Sequence, residues 1–492
     1  MWIEILLFVA LLVYTFWNVL FGVRPKNYPP GPLRLPIVGS LPFLGTNPLN
    51  TLTKWKETYG NVIGLRFGDF NVVVLSGYET IKEAYDKPEF SGRPSLGPIL
   101  LIAGKEKRGL VASEGPHWSE QRRFALRNLR DFGFGKKSME IGIQEDVTDL
   151  ISKLKRQNGS PITTERMLSL VVLSSLWSIV AGEKMSIDDP KATELLNTFN
   201  AVISTTSIAG PTFFMPWIAK LAPKMTGWSS FESAIILIKG FMRGKIQEHK
   251  DSHVENNPRD YMDVYLDEMK STKDSTSSFY GKAGEEHMLV GMINLFGAGA
   301  ETTSNTLNWS FYFLAENQQV QKRMQEELDA VVGRNRLPSL EDKNKMVYTE
   351  AVMQEIFRKS SIIPFGVFHN LMETVTFQGY EIPKNTAVMS NIYEVHHDPK
   401  TWGDPEVFRP ERFLSSDHKS VIKAGPVIPF LIGKRSCLGE TLARVTFYLV
   451  LTGVVQRFRI SFDPNTKIED KGIPSLIRFP PKNKLIFENR YD

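Results

Sequence analysis

Apolar positions along the chain follow three rhythms. From Ile5 to Val23 they run unbroken and uncharged as "ILLFVALLVYTFWNVLFGV", and about 20 such residues are enough for a helix to span a bilayer. Beyond the N-terminus they recur mostly every three or four residues, as Val320, Met324, Leu328 and Val331 do, which places them on one face of a helix. That period predicts helices over Pro48–Glu57, His117–Leu129, Glu145–Arg156, Phe231–Lys250, Glu285–Glu316, Asn317–Val332 and Tyr348–Lys359. Alternation by twos, the strand signal, is confined to short pieces. These are "NVIGLRFGDFNVVVLS" (Asn61–Ser76), which turns at Gly-Asp, and "TVTFQGYEIPKNTAVMS" (Thr374–Ser390). The expected fold class is mainly α with small β-sheets.

The unbroken run reads as a transmembrane anchor (residues 1–23) rather than a cleaved leader: the leading charge is Glu4, not Lys or Arg, and no small-x-small site follows. Arg24 and Lys26 just after it are expected to keep the bulk of the chain in the cytosol. A basic, Pro-rich hinge (24–34) containing "YPPGP" comes next, stiff because proline fixes φ and lacks an N–H. From 35 to 492 there is no further linker, repeat or low-complexity tract, so one domain is expected, with the polar stretch Lys250–Ser278 as a surface helix and loop. A chain of 492 residues, 42% hydrophobic, can bury a large core. Its net charge of +5 does not point to nucleic acid. Cys437 is the single cysteine; it has no partner for an internal disulfide and agrees with a reducing compartment.

Two stretches carry chemistry. "LFGAGAETTSN" (residues 295–305) starts like a GxGxxG dinucleotide fingerprint, but Thr302 stands at the third glycine position and the preceding segment is helical rather than a strand. The glycines therefore sit inside a helix, where each costs about 1 kcal/mol relative to alanine, and Thr302 can turn its hydroxyl back to the Ala298 carbonyl. Either another helix approaches closely here, or something flat lies against the helix with Glu301 and Thr302 placed to handle protons. In the second stretch, "PFLIGKRSCLGETLARVTFYLVLTGVV", Cys437 follows Lys434 and Arg435 and precedes an apolar helix starting near Leu438. A helix N-terminus and nearby cations favour thiolate, hence a ligand or nucleophile; a buried, inert thiol is the competing account.

"PFLIGKRSCLG" resembles the cytochrome P450 haem-binding signature FxxGxRxCxG at Phe430, Gly433, Arg435, Cys437 and Gly439, and "AGAETT" resembles that family's oxygen-side helix motif. "PPGP" is similar to its hinge, "WSEQR" (Trp118–Arg122) to its WxxxR helix, "EIFR" (Glu355–Arg358) to its ExxR pair and "FRPERF" (Phe408–Phe413) to its PERF element. The order is the family's along nearly the whole chain. The resemblance implies haem b with Cys437 as the axial thiolate, Ala298 to Thr303 over the opposite face, and Glu301 with Thr302 supplying protons for O2 cleavage. It implies Arg93, Trp118, Arg122, His369 and Arg435 as haem propionate partners, with Phe368 standing where the family has proline. Glu355, Arg358 and Arg412 would brace the Cys loop as a buried ion network.

Electrons must come from elsewhere, since neither a dinucleotide fingerprint nor a flavin domain is present. The resemblance implies NADPH–cytochrome P450 reductase as partner, with cytochrome b5 a further candidate and the endoplasmic reticulum membrane as location. The basic run "QRRFALRNLRDFGFGKK" would be the docking face. Leu96–Gly104, Thr206–Trp217, Ser360–Gly366 and Lys471–Ile477 are apolar where the family contacts substrate, which implies a lipophilic small molecule. "RRFALRNLRDFGFGKKSME" resembles a microsomal clan of vertebrate drug-metabolising and arthropod hormone-pathway members, nearest to methyl farnesoate epoxidases of juvenile hormone biosynthesis. The implied reaction is hydroxylation or epoxidation, with xenobiotic or steroid hydroxylation as the alternative. A membrane-anchored cysteine hydrolase, which needs a histidine beside Cys437, and a haem-binding sensor are the rivals of another class. His249 and His253 in "HKDSH" lack a third metal ligand and read as a solvated face, and His396 and His397 in "VHHDP" stay unassigned.

Overall fold

The computed structural model describes residues 2–21, 24–133, 136–186, 189–204, 211–466 and 476–491. In its first half the helices are α1 (Trp2–Phe21), α2 (Pro48–Tyr59), α3 (Tyr78–Asp86), α4 (Gly97–Ala103), α5 (Gly115–Asp131), α6 (Lys137–Arg156), α7 (Glu165–Ala181) and α8 (Pro190–Ser204). Then come α9 (Pro211–Phe214), α10 (Pro216–Leu221), α11 (Trp228–Ser252), α12 (Tyr261–Ser271), α13 (Gly281–Glu316), α14 (Gln318–Val331) and α15 (Val347–Ser360). Three more follow: α16 (Ile392–His397), α17 (Pro399–Trp402) and α18 (Glu440–Arg457). All seven helices read from the sequence are present, each within a few residues of its expected ends except α6, which begins eight residues earlier, at Lys137.

The strands are short. β1 (Val62–Phe67) and β2 (Phe70–Leu75) form the expected hairpin, β3 (His369–Asn370), β4 (Val375–Phe377), β5 (Tyr380–Ile382) and β6 (Ala387–Ser390) follow, and β7 (Phe458–Phe462) pairs with β8 (Leu485–Asn489). The main sheet has the order β1-β2-β6-β3, with β2 and β6 parallel from Val72↔Ala387 to Leu75↔Ser390. Pairing of β3 with β6 sets His369 opposite Val388 and so fixes that histidine at the sheet's inner edge.

α13 runs through the helical core and is buried along most of its length. A methyl group on Gly299 would stand 2.4 Å from Leu176 Cδ2 on α7, and one on Gly297 would stand 2.8 Å from Phe199 Cε1 on α8. The glycines therefore serve close helix packing, the plainer of the two accounts. α12 corrects the expectation for Lys250–Ser278: Tyr261, Met262, Tyr265 and Leu266 are buried. Tyr265 donates to Gln121 Oε1 at 3.0 Å and packs edge-on against Phe124. The expected helix is there, but polar composition hid its burial, because its aromatic residues Tyr261 and Tyr265 face inward.

At the N-terminus, α1 carries exposed apolar side chains from Ile5 to Phe16. Among the described residues no helix is long and apolar enough to cross a membrane.

Candidate functional site

Cys437 hangs from a loop whose shape the backbone dictates. Gly433 has φ +77°, and a Cβ there would come within 2.3 Å of the Tyr85 carbonyl oxygen, so only glycine fits. The Ser436 N–H donates to the Gly433 carbonyl at 3.1 Å and the Cys437 N–H to the Phe430 carbonyl at 2.9 Å, closing the loop on itself. Arg122 Nη2 ties it to α5 by donating to the Ser436 carbonyl at 2.8 Å. The helix that follows starts at Glu440, two residues later than expected, with Gly439 as its cap.

The thiol is exposed and lines a cavity with about 1690 Å³ of atom-free space, the open solvent at its mouth included. Burial pushes its pKa up, and the Glu440 carboxylate adds to that; the Gly439 N–H and Arg122 pull the other way without prevailing. The expected thiolate is thus not secured by the protein alone. A metal cation would supply what is missing, because a coordinated thiol is deprotonated outright.

α13 forms the facing wall. Asn294, Ala298, Thr302 and Thr306 line it at four-residue intervals, one turn apart on one helix face. As expected, the Thr302 hydroxyl donates to the Ala298 carbonyl, at 2.7 Å, and Thr306 repeats the pattern onto the Thr302 carbonyl at 2.8 Å. Glu301 lies elsewhere: it is buried, does not line the cavity, and receives the Ser169 hydroxyl of α7 at 3.5 Å. Glu301 is turned toward Ser169 of α7, whereas its neighbour Thr302 faces the cavity.

Near the Cys437 loop the cavity is cationic. Arg93, Trp118, Arg122 and Arg435 all line it, and the Arg435 guanidinium lies 3.9 Å over the Trp118 ring. Arg435 donates to the Ser91 and Ser113 carbonyls, yet its buried Nη1 has no partner. Burial and then the neighbouring Arg93 and Arg122 lower its pKa to about 8, against the Glu114 carboxylate. Arg93 is lowered to about 10 by burial, with Arg122 adding to it against Tyr85 and Glu114. His369 is fully buried beside them, stacked on Tyr85, with Nδ1 against the Phe90 carbonyl at 2.8 Å and Nε2 unpartnered. It does not line the cavity itself. Clustered cations and two orphaned nitrogens beside a thiol and apolar walls fit a flat, metal-bearing group with anionic arms.

The buried ion network is formed. Arg358 Nε and Nη2 grip Glu355 at 2.7 and 2.8 Å, Arg412 Nε adds a bond to Glu355 at 3.2 Å, and all three side chains are nearly inaccessible. What sequence reasoning missed is the strut that joins this network to the Cys loop. Arg358 Nη1 donates to the His396 carbonyl at 2.7 Å, while His396 Nε2 accepts the Ile428 N–H at 2.8 Å, two residues before the signature's phenylalanine. Since Nε2 accepts, Nδ1 carries the proton and faces the Ser361 hydroxyl at 2.8 Å. Burial keeps His396 neutral, with a pKa near 3.

Other expectations need correction. His249 is buried, not solvated, and its Nε2 lies 2.9 Å from Asp260 Oδ2. Asp263 completes a cluster with them but is already engaged by Arg259 Nε at 2.6 Å, so the group is an internal ion network. His397 is tied to the Tyr393 carbonyl at 2.9 Å. Of the substrate-side segments, Ser360–Gly366 reaches the cavity through Ser360, Ile362, Ile363 and Gly366, whereas α4 packs behind it. Residues 205–210 and 467–475 lie outside the described set, and Phe213 and Phe214 belong to the core beneath the main sheet. Leu110, Val111, Val172 and Leu176 line the cavity unanticipated, brought there by the loop before α5 and by α7. Among the described residues no histidine lines the cavity, so a Cys–His hydrolytic pair is not formed.

Residues 29–487 match the family model described as cytochrome P450. The farnesoate epoxidase of Bombyx mori is 32% identical, over 98% of this chain and 98% of its own length. Cytochrome P450 2J3 of Rattus norvegicus is 35% identical over 98% of this chain and 95% of its own. Cytochrome P450 2L1 of Panulirus argus is 32% identical over 96% of each.

Proposed function

Because the chain belongs to the cytochrome P450 family of monooxygenases, we propose that the cavity between α13 and Cys437 is where an oxygen atom from O2 is inserted into a lipophilic small molecule. The family's cofactor is haem with a cysteine thiolate on iron, its co-substrate is O2, and its electrons originate in NADPH. Bound haem supplies the O2-cleaving chemistry, favoured by thiolate donation. In this reading Cys437 is the metal ligand, Arg93, Trp118, Arg122 and Arg435 hold the propionates, and His369 offers its free Nε2 to the same arms. Ala298 and Thr302 would line the haem site from α13, and the Thr302 hydroxyl would hold and pass on protons there. Glu301 would serve from behind the helix, through groups that reach past it.

The observation that carries the reading is the coexistence, in one cavity, of a single exposed thiol and a buried guanidinium nitrogen with no partner. Each lacks what haem would bring: a cation for the sulfur and an anion for the arginine. The substrate reading follows the Bombyx mori relative, a farnesoate epoxidase: epoxidation of a methyl farnesoate-like terpenoid in juvenile hormone biosynthesis. Xenobiotic or steroid hydroxylation is the second reading.

The electron donor would be NADPH–cytochrome P450 reductase, with cytochrome b5 as an accessory. Arg123, Arg127, Arg130, Lys136 and Lys137 are exposed along α5 and the start of α6 and would form its docking face. The anchor (1–23) and hinge (24–34) would hold the domain on the cytosolic side of the endoplasmic reticulum.

The test is the carbon monoxide difference spectrum of the dithionite-reduced full chain. A strongly red-shifted Soret band is expected, and Cys437→Ser should abolish it. An unaltered band in that variant sinks the ligand assignment, and no haem in folded, haem-supplied protein sinks the function.

A further inference from the structure

The segment after the hinge prolines is not a loose joint. The Gly64 N–H donates to the Pro30 carbonyl at 2.7 Å and the Ser40 N–H to the Arg66 carbonyl at 2.6 Å, so residues 30–40 are tied to β1 at both ends. Gly31 lies so close to that strand that a Cβ would stand 2.2 Å from the Gly64 carbonyl oxygen. Tyr28 is pinned just before it, its hydroxyl donating to the Val72 carbonyl at 2.9 Å. Arg34 sits between the two ties. It is 9% exposed, yet Nε, Nη1 and Nη2 are all buried without a hydrogen bond among the described residues. The guanidinium lies over the Tyr28 ring, 5.0 Å from its centroid.

No carboxylate compensates that charge. Burial lowers the Arg34 pKa; Tyr28 opposes this, and the like charges of Arg24 and Arg66 add to it. Among the described residues no acid acts on Arg34 or on Tyr28. Three arginines thus gather at one place, and two of them reach the surface, Arg24 exposed and Arg66 half-buried. Arg24 gives Nη2 to the Pro29 carbonyl and Arg66 gives Nε to the Gly68 carbonyl at 2.9 Å, so both keep guanidinium N–H groups for a ligand. A buried guanidinium without a partner is costly, because neither an ion pair nor a hydrogen bond offsets its desolvation. Turning it toward Arg24 and Arg66 gives up one ring contact and no hydrogen bond. Like charges oppose that gathering unless an anion joins them. A carboxylate fills one guanidinium fork and neutralises one charge, whereas a phosphate monoester brings about 1.5 to 2 negative charges and three acceptor oxygens, enough for two or three forks. Arg24 follows the end of α1 at Phe21 closely, and Leu33 and Ile37, on either side of Arg34 in the chain, are exposed. If α1 is an anchor, lipid headgroups lie within reach.

We propose that Arg34, Arg24 and Arg66 together bind a phosphate monoester, and that Arg34 swings its fork out from the Tyr28 ring to do so. A phosphatidic acid headgroup at a membrane surface and free phosphate offer the same chemistry, and the experiment separates them. The binding is independent of the monooxygenase reading.

Equilibrium dialysis of the full-length haem-loaded protein in neutral detergent, at fixed ionic strength, compares dihexanoyl phosphatidic acid, dihexanoyl phosphatidylglycerol and inorganic phosphate. The monoester lipid should bind about tenfold more tightly than the diester, which carries one charge. Equal binding of the two lipids overturns the monoester. Arg34→Leu should cut phosphatidic acid affinity about tenfold and Arg24→Gln several-fold. Lys26→Gln removes an exposed charge that does not act on Arg34 and should change the affinity less than about twofold. An equal loss in all three variants, or none in Arg34→Leu, overturns the site and leaves a diffuse basic surface. Since Arg34 has no hydrogen bond to lose, Arg34→Leu should melt no lower than the wild type in phosphate-free buffer. A marked drop overturns the swing of Arg34, and Arg24→Gln, at the surface, then decides the binding: unchanged affinity there overturns it as well. The third ligand identifies the source. Inorganic phosphate bound as tightly as phosphatidic acid assigns the site to the soluble anion, and binding weaker by about tenfold or more assigns it to the lipid.

Discussion

A Thr302 hydroxyl 2.7 Å from the Ala298 carbonyl is bonded within its own helix, and it must turn away from that carbonyl to serve a ligand. The bond is the ordinary habit of a helical threonine and is worth little to stability, since such back-bonding competes with the helix. Thr302→Ala should therefore fold, take up haem and cost at most a few tenths of a kcal/mol. Its product yield per NADPH should drop several-fold, with the missing electrons recovered as hydrogen peroxide. Coupling equal to that of the wild type would remove Thr302 from the proton path. At this scale the sequence told more about identity than about orientation. It identified Thr302 and Glu301 as neighbours, but the 100° step between them puts one on the cavity and the other against Ser169 of α7. Gly433 was legible as a signature glycine, while the reason for it, the Tyr85 carbonyl 2.3 Å from any Cβ, comes from a segment about 350 residues earlier in the chain.

Between elements, polar side chains do the joining. His249 near the end of α11 meets Asp260 at the head of α12, where Asp260 also caps the helix by accepting the Asp263 N–H at 3.0 Å. Burial lowers the His249 pKa, but the hydrogen bonds its ring donates to Asp260 and the Lys245 carbonyl, with the Asp260 and Asp263 charges, leave it raised above its ordinary 6.5. A raised folded-state pKa means that the stabilisation is full below the ordinary value and is lost as pH climbs through the folded value. His249→Gln should accordingly lower the melting temperature at pH 6 more than at pH 8, and equal losses at both would show that the charge contributes nothing. The polar stretch around His249 and His253, with no third ligand evident, suggested a solvated face because nothing local reveals that α12 folds back over it. The Glu355–Arg358 pair, in contrast, was legible at i, i+3, and its burial followed from Arg412 arriving more than 50 residues later. His396 was unassigned because its task, accepting the Ile428 N–H, exists only once α16 lies beside the Cys loop.

Across the whole molecule, the proposed function assigns separate tasks to the apolar N-terminal helix, the arginine-lined cavity and the basic face on α5. Deleting residues 2–23 should shift the protein from the membrane pellet toward the soluble fraction in flotation assays while the thiolate–haem band persists. Loss of the band on that deletion would mean that α1 supports the fold rather than the location. The sequence by itself determined the helix-rich class, the seven long helices, the β1–β2 hairpin and the single thiol, because periodicity, turn residues and composition are local properties. Tertiary structure decided which residues share the cavity. Leu110 and Val111 enter it because Asn294 holds their N–H groups, Glu301 leaves it because α7 receives its side of α13, and the thiol sits where burial opposes its charge. Those outcomes depend on contacts between segments far apart in the chain, on the desolvation they impose and on the angle at which each helix turns its face.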